Sequence, residues 1–165
     1  MTEAFNEWTH VSRPVRGGLR TEERKRMSQS SEIVRVFGAR ENPAVMVVEA
    51  DTDTPQSLAA TLKAQGFRVA LAQSVREAEE MLHDLRDLRL PVDGLLSDYR
   101  LSDGFGCRIL RRFQDEFPNL PAAVMVDGED VSIELWARSR NILLLRKPLA
   151  LPALSPWLEQ LPIPA

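Results

Sequence analysis

The feature that most limits the fold is a rhythm between residues 43 and 162. Five times, a short apolar run is followed by a segment with apolar residues at helical spacing. Ala44-Val45-Met46-Val47-Val48 is continuous, apolar and largely β-branched, as expected of a strand buried on both faces. The other runs are Phe67 to Leu71, the segment through Leu95 and Leu96 to Asp98, Ala122 to Val126, and Ile142 to Leu145. The intervening helices carry start and stop signals. Thr54-Pro55 reads as a cap followed by proline at the first helical position, Leu58, Ala59 and Leu62 recur behind it, and Gly66 ends the helix. Ser74 caps a stripe of Val75, Ala78, Met81, Leu82 and Leu85. Ile109, Leu110, Phe113 and Phe117 form the next stripe, a helix covers roughly Val131 to Arg138, and Leu154, Trp157, Leu158 and Leu161 share a face in the last. Pro152 and Pro156 leave the start of that helix open. The alternation predicts an α/β fold, a doubly wound five-stranded parallel sheet with helices on both faces. Right-handed crossovers leave few topologies for it.

Residues 1–42 read differently. Arg13, Arg16, Arg20 and Arg24-Lys25-Arg26 are followed by Ser28-Gln29-Ser30-Ser31, and Pro14 and Gly17-Gly18 interrupt any long helix. The expectation is a flexible leader or a docking or dimerising arm, with a short helix from Thr21 through Arg26, and one domain over 43–162. Glu22 and Glu23 offset the basic residues locally, and the whole chain carries a net charge of −3, so nucleic acid is disfavoured as a partner. No apolar run approaches the ~20 residues of a membrane span. A single cysteine, Cys107, excludes an internal disulfide and fits a reducing cytoplasm. There is no Ser-His-Asp set, P-loop or CxxC, so the chain is not read as an independent enzyme. His10 and His83 suggest no zinc pair, and Cys107 reads as a small core residue. Trp157 reads as core, while core packing and a partner anchor are equally open for Trp136.

The chemistry points to Val92–Gly106. An apolar run ends there on Asp98, a Gly-rich turn follows through Asp103-Gly104, and a helical pattern begins near Gly106. A carboxylate at the C-terminal tip of a buried parallel strand sits where open α/β sheets place their ligands. The first run ends in Glu49-Ala50-Asp51 and the fifth in Arg146-Lys147-Pro148. With Glu49, Asp98 and Lys147 at three strand tips, residues 43–162 resemble the receiver domain of bacterial two-component response regulators, the CheY-like superfamily. The Asp98-Tyr99-Arg100-Leu101 run with its Asp103-Gly104 turn is similar to receivers of hybrid histidine kinases.

The resemblance implies a flavodoxin-like strand order, 2-1-3-4-5, and a phosphoprotein with Asp98 as phosphoacceptor. The donor would be a histidine kinase or phosphotransfer protein. Lys147 would supply fixed positive charge to the phosphoryl oxygens, and a Lys147-Pro148 cis bond is common in the family. Glu49, Asp98 and the Tyr99 backbone carbonyl would hold Mg²⁺, with Asp51 or Asp127 as substitutes. With no output domain after Ala165, a stand-alone receiver signalling to a downstream protein target is expected, a homodimer being left open. Three departures argue for the alternative, a degenerate receiver acting only as an interaction module. Ala50 stands where a second acid is usual, which predicts weakened Mg²⁺ binding. Val126 or Asp127 replaces the hydroxyl residue of the fourth strand, and Leu144 replaces the aromatic residue of the fifth.

Overall fold

In the computed structural model, residues 20–39, 41–51 and 57–165 are described. The readings at His10, Arg13, Arg16 and the Thr54-Pro55 cap lie outside them. The elements are α1 (Thr21–Phe37), β1 (Ala44–Val48), α2 (Leu58–Ala64), β2 (Arg68–Ala72), α3 (Val75–Asp87) and β3 (Gly94–Asp98). A two-stranded hairpin of β4 (Arg100–Leu101) and β5 (Gly104–Phe105) leads into α4 (Gly106–Glu116). Then come β6 (Ala122–Val126), α5 (Val131–Ser139), β7 (Ile142–Arg146), a 3-10 turn (Leu151–Leu154) and α6 (Ser155–Leu158).

The five long strands form one parallel sheet in the order β2-β1-β3-β6-β7, the arrangement expected. Every residue of β1, β3 and β6 is buried, which is why these runs lack alternation. One face packs Met46, Val48, Leu95 and Val124 against α1, α3, α4 and α5. The other packs Val45, Val47, Leu96 and Ala123 against α2 and the C-terminal turns. Trp157 anchors the second face, fully enclosed, its indole N–H donating to Pro121 O at 3.0 Å. Gly94 makes room for it, since an added Cβ would lie 2.7 Å from the Trp157 ring and from Leu161.

Three expectations need correction. The helix expected from Thr21 to Arg26 runs on to Phe37, so this part of the supposed leader packs on the body. Ile33, Val36 and Phe37 join the first core. The serine-rich segment, expected to lie in a flexible leader or arm, is helical, and its side chains find partners. Ser31 Oγ donates back to Met27 O at 2.9 Å, Ser30 Oγ to Asp84 at 2.9 Å, and Gln29 to Glu77 O at 3.2 Å. Arg68 closes the junction, donating to Asn42 O and Val36 O. The turn after Asp98 is a small hairpin, not a plain Gly-rich loop. The last helix is reduced to a 3-10 turn and a four-residue α segment, with proline among the first positions of each.

Candidate functional site

Asp98 ends the central strand and is 3% exposed. A carboxylate buried so deeply needs charge or hydrogen bonds to offset lost hydration. Two groups provide them. The Ala50 N–H donates to Oδ2 at 3.1 Å, and Lys147 Nζ lies 2.6 Å from Oδ1 as an ion pair. Lys147 reaches in from the end of β7, and its peptide bond to Pro148 is cis. Glu49 follows β1, with its own N–H bound to Ala72 O at 2.9 Å. Its Oε1 accepts from the Leu58 N–H at the start of α2, at 3.4 Å, while Oε2 is buried without a hydrogen-bond partner. Burial pushes the Glu49 carboxyl above its ordinary value; the Leu58 N–H opposes this, and the nearby Asp98 charge adds to it. The three strand tips thus converge as the sequence suggests, and Glu49, Asp51, Leu58, Met125, Lys147 and Leu149 line an open cleft beside them.

The other expected positions are less favourable. Asp51 is exposed at the rim of that cleft. At the fourth strand Val126 pairs with Arg146, and the next residue, Asp127, follows the strand end as Lys147 follows that of β7. Val126 is buried, whereas Asp127 is exposed. Leu144 is half-buried against the core. Neither Val126 nor Asp127 carries a hydroxyl, and Leu144 is not aromatic.

With alanine at residue 50, these residues do not fit a magnesium ion held by three carboxylates. The Tyr99 carbonyl already accepts the Gly106 N–H at 2.8 Å. Asp98 is shared between an ammonium and an amide, Glu49 Oε1 is bonded, and Ala50 contributes only a backbone N–H. Among the described residues no cluster of three His, Cys, Asp or Glu side chains is placed to hold a metal. Among the described residues two buried carboxylate oxygens have no hydrogen-bond partner, Glu49 Oε2 and Asp98 Oδ1, and the second of these has the Lys147 ion pair.

The sequence shows the residues behind Asp98 only as a turn. Gly106 is required there, since a Cβ would lie 1.9 Å from Asp98 O and 2.5 Å from Ser97 Oγ. Tyr99 and Phe105 face each other across the hairpin base with ring centroids 5.2 Å apart. At its tip Asp103 accepts the Val75 and Arg76 N–H groups at 2.8 and 2.9 Å. Those bonds, that of Arg76 foremost, hold its carboxyl below the ordinary value. The only sequence trace of this role is an aspartate before glycine in a turn, a residue type that often accepts backbone N–H groups.

Comparison with known proteins bears on the fold. No family model and no curated protein matches the sequence. Solved structures do match, and the class they define is the response-regulator receiver domain. A response regulator receiver protein from Pseudomonas putida is 21% identical, with a TM-score of 0.59, over 74% of this chain and 99% of that one. FixJ-N is 26% identical, with a TM-score of 0.57, over 74% of this chain and 94% of that one. The receiver domain of the hybrid histidine kinase CckA is 22% identical, with a TM-score of 0.51, over 70% and 95%. The chain has the CheY-like receiver fold.

Proposed function

We propose that this chain is a receiver module of a bacterial two-component pathway, working in the cytoplasm, that accepts a phosphoryl group on Asp98 and signals through protein–protein contacts. The observation that carries this reading is the pairing of Asp98 Oδ1 with Lys147 Nζ at 2.6 Å, at the tip of the central strand. In the transfer, an Asp98 carboxylate oxygen attacks the phosphorus of a phosphohistidine on a kinase or phosphotransfer protein. The new O–P bond forms as the P–N bond breaks, and the histidine nitrogen keeps the electron pair. The resting ion pair holds Lys147 Nζ against Asp98, and the Lys147 ammonium then turns to the phosphoryl oxygens, where negative charge accumulates. No step is routed through a metal ion.

A second reading is favoured by Ala50, Leu144 and the lack of a hydroxyl at Val126 or Asp127: a degenerate receiver that binds partners without being phosphorylated. Incubation with acetyl phosphate and Mg²⁺, followed by intact-mass measurement, separates the two. A single phosphate adduct that disappears in Asp98→Asn supports the first reading. No adduct under conditions that label ordinary receivers supports the second.

A further inference from the structure

If the receiver reading holds, a change at Asp98 must reach a surface, yet the positions that would carry it through β6 and β7 hold Val126, Asp127 and Leu144. Another path leaves Asp98 directly. The hairpin of β4 and β5 begins two residues after it, at Arg100, and its base is closely packed. Tyr99 O accepts the Gly106 N–H, Asp98 O accepts Ser97 Oγ at 2.9 Å, and no Cβ can be fitted at Gly106. A shift of the Asp98 backbone therefore moves the hairpin as a unit.

The tip of that hairpin grips the first turn of α3. Both carboxylate oxygens of Asp103 are used, one on the Val75 N–H and one on the Arg76 N–H. Gly104 lies so close to Val75 that an added Cβ would come within 3.2 Å of its Cγ2. Within the same turn the Glu77 carbonyl accepts from Gln29 of α1, at 3.2 Å. Gln29 is 7% exposed, and a polar side chain that deep in an interface loses a hydrogen bond it cannot replace from water when its partner moves. Ser30 adds a second tie from α1 to α3, its hydroxyl donating to Asp84 at 2.9 Å. The far end of α1 is open to solvent: Thr21 to Ser28 are all exposed, and Met27 is 59% exposed.

We infer that α1 is the element that responds to the state of Asp98, coupled to it through the first turn of α3 by Asp103 and Gln29. The inference rests on the receiver reading for the identity of the input, Asp98, and deepens it by naming where the output emerges. Asp103 is a positioning residue in this scheme; it touches neither the phosphoryl donor nor the acceptor carboxylate.

Amide hydrogen exchange of the full chain, read by mass spectrometry on peptides covering Gln29–Phe37, tests it. Asp98→Asn removes the charge at the input. It is expected to change exchange in α1 by about fivefold, the low end of ordinary coupling factors. In an Asp103→Ala background, and separately in a Gln29→Leu background, the same input change is expected to leave α1 unaffected. An α1 that ignores Asp98→Asn overturns the inference. So does an α1 that responds equally with Asp103 or Gln29 replaced. Should Asp103→Ala fail to fold, the Gln29→Leu arm decides alone. The acetyl phosphate result is independent of this readout: a chain that takes no phosphate loses the phosphoacceptor reading, while the exchange experiment still reports on the coupling.

Discussion

At the scale of single residues, the negative charge of Asp98 is balanced by one ammonium and one amide, and Ala50 is the reason a second carboxylate is missing. The Ala50 N–H already points at Asp98 Oδ2. Ala50→Asp adds a carboxylate at the residue after Glu49, whose Oε2 is buried without a hydrogen-bond partner. Mg²⁺ affinity, measured by calorimetric titration, is expected to rise by about tenfold or more, the usual scale for restoring a group at a metal site. Unchanged affinity would show that residue 50 does not face the pocket. Asp103 yields a pH prediction of definite sign. Its carboxyl titrates below the ordinary 3.8 in the folded chain because the Arg76 and Val75 N–H groups favour the anion. The unfolded chain binds the proton more readily, so the stabilisation is complete above 3.8 and is lost as pH falls through the lowered folded value. Asp103 accepts two N–H groups at the start of α3 as a helix cap does, but in the open, so Asp103→Ala is expected to lose about 0.5 kcal/mol at neutral pH, the low end for a cap, lowering Tm by about 1–2 °C. Thermal melts of the two proteins should converge once pH has fallen through that lowered folded value.

At the scale of elements, α1 matters most, because its contribution is concentrated in its last turns. Ile33 is fully enclosed and Phe37 is 2% exposed, both in the core shared with α3 and β2. The preceding turns through Ser28 are solvated. Phe37→Ala is expected to cost about 3–5 kcal/mol in urea unfolding, the range for emptying a buried aromatic site. Met27→Ala, ten residues earlier on the same helix and 59% exposed, should stay within about 0.5 kcal/mol of the parent. Equal effects of the two substitutions would mean that α1 does not pack on the sheet face. The hairpin and the C-terminal turns show the opposite economy. They are short, and their shapes are fixed by close approach: Gly106 against Asp98, and Gly94 beneath Trp157.

At the scale of the molecule, the sheet was legible in the sequence because strands buried on both faces must be continuously apolar, and β1, β3 and β6 are. Glu49, Asp98 and Lys147 were legible for a related reason: each stands at the end of such a run, so finding the strands found the tips. Asp103 and Gln29 were not, since their roles are contacts across 28 and 48 residues and neither changes the local pattern. The full length of α1 was hidden by serines whose partners lie partly on another helix. The same doubly covered sheet determines how the chain should unfold. β1 gives Met46 and Val48 to the core containing α1, and Val45 and Val47 to the core containing Trp157. Neither face can be stripped without exposing the strand that supports the other, so the two cores are expected to melt together. In a Trp8→Phe, Trp136→Phe background, Trp157 fluorescence reports the second core, and far-UV circular dichroism reports the helices, most of which lie on the first. Coincident urea transitions by the two probes are expected. If ellipticity falls at lower urea than the Trp157 signal, the face bearing α1, α3, α4 and α5 has separated first, and α1 cannot be an integral part of one cooperative unit.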